Sequence, residues 1–73
     1  MPTNLFLSLS DEKRNKIIEA CIAEFARYGY YNSSTNRIIK ASGISKGSLF
    51  KYFPSKEDLF FYILDMITSE LML

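Results

Sequence analysis

Along the chain, stretches in which apolar residues recur every three or four positions alternate with short polar breaks carrying Ser or Gly. Over residues 10–28, Ile17, Cys21 and Phe25 recur at i, i+4 with Ile18 and Ile22 beside them, a broad stripe that predicts an amphipathic helix. Its start is open between two caps. Ser8 with Asp11 three residues on makes a capping box, whereas Ser10 puts Asp11 and Glu12 in the first turn. Gly29 can take positive φ and stop the helix, and Tyr30, Tyr31 and Asn32 then form a short connection. Ser34 caps a second, short helix, Thr35–Ser42, with Ile38 and Ala41 inward and Gly43 ending it. Ile44 is a lone apolar residue in the turn. Ser45 caps a third helix, Lys46–Tyr52, whose inner side carries Leu49 and Phe53 at i, i+4. Pro54 cannot continue the ladder and clips that helix at about two turns.

A fourth helix opens at Ser55-Lys56-Glu57-Asp58, a capping box with Asp in the acceptor role. Leu59, Ile63, Ile67 and Leu71 form its core row, yet eleven of the fifteen residues 59–73 are apolar and cover nearly every face. A 73-residue bundle cannot bury so much helix surface alone. Something else is therefore expected to cover it: a further C-terminal domain, a second subunit, or both. On that reading Phe61, Tyr62, Met66, Met72 and Leu73 are overexposed in the chain alone; the alternative is a fully buried central helix. The expected fold class is all-α, a small helical bundle with a homeodomain-like three-helix core plus the start of a connecting helix. Residues 1–9 read as a tail, 10–54 as the three-helix domain with a helix-turn-helix about 34–53, and 55–73 as the connecting helix.

Composition narrows the chemistry. The chain is 48% hydrophobic, 23% charged and 15% aromatic, a globular balance. With no His and a single Cys, it offers neither an internal disulfide, nor a Cys/His zinc site, nor His-based acid–base catalysis. Cys21 lies inside the apolar stripe, as a small core residue does. The longest apolar run, residues 59–64, is far short of a membrane span, and residues 1–9 lack the basic start of a signal peptide. A cytoplasmic protein without a metal or cofactor is expected.

The net charge of +1 conceals an uneven distribution. Residues 10–24 carry −1. Residues 25–56 hold Arg27, Arg37, Lys40, Lys46, Lys51 and Lys56 with no acid, hence +6, and residues 57–73 carry −4. A basic middle between acidic flanks can face a polyanion from one side; solvated helix faces would give the same count.

Two helices joined by Ser42-Gly43-Ile44-Ser45 match a helix-turn-helix pattern. The run Ser42-Gly43-Ile44-Ser45-Lys46-Gly47-Ser48-Leu49-Phe50-Lys51-Tyr52-Phe53-Pro54-Ser55-Lys56-Glu57-Asp58-Leu59-Phe60 resembles the consensus of the TetR family of transcriptional regulators. Upstream, Ile17-Ile18-Glu19-Ala20 and Phe25-Ala26-Arg27-Tyr28-Gly29-Tyr30 look like that family's first helix and its exit. The resemblance covers about residues 10–65. It implies sequence-specific binding of double-stranded DNA by a ligand-responsive repressor, with helix 46–52 in the major groove. It also implies a homodimer on a palindromic operator, and a small-molecule effector bound outside this segment. Three positions depart from the pattern: Ile39 where Ala is usual, implying a wider or shifted helix crossing; Phe50 where a Tyr hydroxyl commonly reaches a phosphate; and Arg37 where an acid is frequent.

Physical chemistry assigns roles on this reading. The N-terminal residues of a recognition helix reach base edges first, so Lys46 can donate to guanine and Ser48 to a base or phosphate. Gly47 lets the backbone come close to the duplex, or is a helix-start Gly of no special use. Lys51 reaches a base or phosphate, and Phe50 a sugar or thymine methyl. Tyr52 serves equally as a phosphate donor or a half-buried core residue. Ser34 and Thr35 offer hydroxyls and N–H groups at a helix start, a phosphate site that coexists with a plain cap. Asn36 stands where the family often has a base-contacting Arg, Arg37 adds charge to the DNA side, and Lys56 matches the family's backbone-contacting Lys or is a solvated surface residue. A helical protein-interaction module would use the apolar fourth helix but leave the basic segment idle. An enzyme is least supported: there is no nucleotide loop, no His and no placed carboxylate pair.

Overall fold

In a computed structural model, residues 3–71 are described, with side chains through Ser69. Five helices follow in order: α1, Asn4–Leu7; α2, Asp11–Asn32; α3, Thr35–Ser42; α4, Lys46–Tyr52; and α5, Lys56–Leu71. The fold is all-α, a helix-turn-helix core with additional helices. Serines cap α2 to α5. The Ser10, Ser34, Ser45 and Ser55 hydroxyls accept from the amides of Lys13, Arg37, Ser48 and Asp58, each three residues on. Ser10 thus decides the open question of where α2 begins, and Ser8 instead donates its hydroxyl to the Leu5 carbonyl. Gly29 and Gly43 take φ of 72° and 75°, as the two helix exits require. After Gly29 the chain makes one more helical turn, Tyr30 to Asn32, where a plain connection was expected.

The core is one cluster of Phe6, Ile17, Cys21, Phe25, Ile38, Leu49, Phe53, Leu59 and Ile63. Burial pushes the Cys21 thiol up to about 12, so it stays a packed thiol and not a nucleophile. Phe6 is the member that the pattern missed. The segment read as a tail folds as α1, and Phe6 is fully buried with its ring 4.8 Å from Phe53 and 5.6 Å from Tyr62. The same packing corrects the reading of α5: Tyr62 and Met66 are half-buried against the core, and only Phe61, 56% exposed, stands out as expected. Ile67, placed in the core row, is 37% exposed because the bundle ends before α5 does. Met72 and Leu73, and the side chain of Leu71, lie outside the described residues.

Two smaller expectations also fail. Ala41 is exposed, and Ser42 takes the inner position instead, with its hydroxyl donated to the Ile38 carbonyl at 2.8 Å. Ile22, at the edge of the α2 stripe, is 36% exposed. Ile39 is half-buried and packs on the core.

Candidate nucleic-acid interface

The turn Gly43-Ile44-Ser45 folds α4 back across α3, because Gly43 is left-handed and Ile44 anchors the turn on the core. Leu49 and Phe53, each about 1% exposed, hold α4 from inside. Their burial leaves Lys46, Gly47, Phe50 and Lys51 on the outer faces of α4, all exposed. Ser48 is half-buried at the rim. Its Oγ accepts from the Ser45 hydroxyl at 2.7 Å, which keeps the Ser48 O–H available as a donor.

Gly47 is informative by contrast with the other two glycines. Its φ is not positive, and a Cβ built there meets nothing within 4 Å. The fold does not require glycine at this position, although glycine in a helix costs about 0.5–1 kcal/mol relative to Ala.

The start of α3 differs. Ser34, half-buried, donates its N–H to the Glu24 carboxylate at 2.8 Å. That carboxylate, on α2 and 8% exposed, also takes the Arg37 guanidinium: Nε at 2.8 Å and Nη2 at 2.7 Å. Arg37 further donates to the Asn32 carbonyl at 3.0 Å and lies 4.0 Å over the Tyr28 ring. The hydrogen-bonded Arg37 side chain holds the Glu24 carboxyl below the usual range against the opposing effect of burial, and the Ser34 N–H assists. Glu24 in turn raises the Arg37 pKa by the same hydrogen bond. The charge that Arg37 brings to the start of α3 is matched by Glu24. With Ser34 N–H taken by Glu24 and Arg37 N–H by Ser34 Oγ, Thr35 and Asn36 carry the rest of the α3 N-terminus. Thr35 is half-buried and Asn36 exposed.

Lys56 is half-buried and engaged in the fold. Its ammonium donates to the Ser33 carbonyl at 3.1 Å and sits 4.8 Å over the Tyr30 ring. Tyr52 is half-buried with its ring 6.0 Å from Phe6. The structure thus gathers Lys46, Gly47, Ser48, Phe50 and Lys51 on one short helix and ties Ser34, Arg37 and Lys56 into the scaffold beside it. Glu24 went unnoticed in the sequence because its partners lie ten and thirteen residues away; the available signal was one acid next to Phe25 on a buried stripe.

The fold and this edge define a helix-turn-helix domain. The profile of bacterial regulatory proteins of the tetR family matches residues 17–63, and the chain belongs to that family. It is 44% identical over 54 residues to the HTH-type transcriptional regulator YuxN of Bacillus subtilis, covering 74% of this chain and 19% of that protein. It is 47% identical over 49 residues to the HTH-type transcriptional regulator LmrA of the same organism, covering 66% of this chain and 26% of that one. A crystal structure of a TetR family transcriptional regulator from Chloroflexus aurantiacus superposes with a TM-score of 0.85 at 41% identity, over 90% of this chain and 30% of the other. The matched part of the chain thus spans between about a fifth and a third of the length of these relatives. It is a helix-turn-helix domain of a DNA-binding regulator of that family. Among the described residues no helix is long and apolar enough to cross a membrane.

Proposed function

We propose that α4 enters the major groove of an operator and reads it through its first turn, with Lys46 and Ser48 on base edges and Gly47 at the closest backbone approach. Phe50 contacts a sugar or a thymine methyl, and Lys51 a base or phosphate. Ser34, Thr35 and Asn36 at the start of α3, with Tyr52 and Lys56, flank the groove on the phosphate side. Arg37 acts through Glu24, as a support for that helix start. The observation that carries this reading is the first turn of α4: exposed, basic, and holding a glycine for which the fold has no use.

The domain works, on this proposal, in a cytoplasmic ligand-responsive repressor that binds a palindromic site as a homodimer. The effector and most dimer contacts belong to residues outside this segment. Phe61, Leu64 and Ile67, exposed on α5, support a protein surface against that helix. The test is duplex binding by fluorescence anisotropy across a salt series. Three to five phosphate contacts per subunit predict that log affinity falls with log salt by roughly 0.9 per contact. The single domain binds weakly, and two copies held one helical turn apart bind much more tightly. A flat salt dependence contradicts the electrostatic part of the reading.

A further inference from the structure

The far end of α4 has a partner that helix-turn-helix logic does not supply. An α-helix leaves its last carbonyls without intrahelical partners, and α4 has no glycine exit to satisfy them, since Phe53 is extended and Pro54 follows. Two of these carbonyls are met from the other end of the chain. Thr3 donates its backbone N–H to the Tyr52 carbonyl at 2.9 Å and its hydroxyl to the Lys51 carbonyl at 2.8 Å. Thr3 is itself the N-cap of α1, yet its hydroxyl makes no capping bond to its own helix and reaches a residue 48 positions away. Phe6, one turn on, is fully buried against Phe53 and Tyr52 at the same helix end. The other end of the segment is fixed as well: Arg14 on α2 donates to the Leu7 and Leu9 carbonyls and pairs with Asp11.

We propose that residues 3–9 are a clamp that caps the C-terminus of α4 and sets the orientation of its reading turn, with Thr3 and Phe6 as positioning residues. The proposal rests on the reading of α4 as the recognition helix, and it concerns residues outside the 17–63 match to the family. A helix of seven residues is too short to hold its geometry by itself. With its inner side fixed by Leu49 and Phe53, its remaining freedom is fraying and tilt at the last turn, where Thr3 binds.

Thr3 allows a graded test, because its φ of −83° admits proline. In the full chain, Thr3→Ser keeps both bonds, Thr3→Val removes the hydroxyl bond, and Thr3→Pro removes the hydroxyl and the N–H. The first readout needs no DNA: amide hydrogen exchange at Tyr52 and Phe53. Exchange there should match wild type in Thr3→Ser, quicken by about tenfold in Thr3→Val and further in Thr3→Pro, while amides of α2 and α3 keep their rates. The second readout is enrichment from a pool of duplexes with randomised centres. Thr3→Val and Thr3→Pro should enrich a looser sequence than wild type, and Thr3→Ser the same one. Unchanged exchange at Tyr52 and Phe53 in Thr3→Pro overturns the clamp, whatever the DNA result. Quickened exchange with an unchanged enriched sequence overturns its role in positioning. A wild-type chain that enriches nothing sinks the recognition reading, and exchange still decides the clamp.

Discussion

The two helices of the helix-turn-helix begin in the same way and are finished differently. Both start at a serine whose hydroxyl accepts from the amide three residues on. At α3 the tertiary structure adds Glu24 and Tyr28, so that the polar groups of Ser34 and Arg37 already have partners. In the first turn of α4 the Ser45 hydroxyl contacts Ser48 within the turn itself, and Lys46 and Gly47 are exposed. A helix start engaged by its own protein serves first as a support. One whose donors face solvent can bind. The same contrast separates the lysines: Lys56 stitches α5 to the α2–α3 connection, whereas Lys46 and Lys51 are exposed on α4.

The largest way to break this contrast is to remove the core that both helices share. Leu49→Ala leaves a void under α4 and should cost about 2–5 kcal/mol in urea unfolding, much of what so small a domain has. A loss below about 1 kcal/mol would mean that α4 is not anchored through Leu49.

Next comes the support at α3. Glu24 has a lowered pKa in the folded chain, so its ionised form stabilises the fold above the ordinary carboxyl value of about 4.5. That contribution is lost as pH falls from there through the folded value. Wild type should therefore melt above Glu24→Gln by several degrees at neutral pH, and the gap should close as pH drops below about 4.5. A gap that stays constant into acid would show that the carboxylate charge is not what matters.

Of smaller size are the caps. Ser34→Ala and Ser45→Ala should each cost about 1 kcal/mol of stability. Only Ser45→Ala disturbs the reading turn directly, so at equal fractions folded it should weaken duplex binding more than Ser34→Ala does. Equal effects on binding would erase the distinction between support and reader. The smallest effect has opposite signs in its two measurements. Gly47→Ala meets no steric obstacle and should stabilise the domain by about 0.5–1 kcal/mol while weakening binding to a preferred duplex. A variant that is both more stable and equally tight would leave Gly47 without a role.

What the sequence made legible here was local. Ser34, Ser45 and Ser55 announce their helices because a cap and its amide are three residues apart, and Gly29 and Gly43 mark exits where positive φ is needed. Leu49 and Phe53 were readable as inner residues from their i, i+4 spacing, which left the outer face of α4 by elimination. The Glu24–Arg37 pair and the Thr3 contact with α4 were not readable, since their partners meet only once the chain has folded. Phe6 belongs with them: an isolated aromatic ahead of any periodic stripe carries no helical signal, and its burial depends on packing against the Phe53 and Tyr62 rings, which only the assembled bundle brings together. The same ring cluster explains why Tyr62 was expected outside and lies half inside. Leu64 and Ile67 are the converse, apolar residues left exposed: Leu64 on the face of α5 away from the core, Ile67 where the helix outruns the layers beneath it.

The claim that α4 reads bases from its first turn is tested most directly at Lys46. The measurement is the affinity of Lys46→Ala for a duplex enriched by the wild-type chain and for an unselected duplex, at one salt concentration. A base contact predicts a loss of roughly 1–3 kcal/mol on the enriched duplex, with little change on the unselected one and a relaxed preference at the contacted position. Equal losses on both duplexes would make Lys46 a phosphate contact and contradict the account.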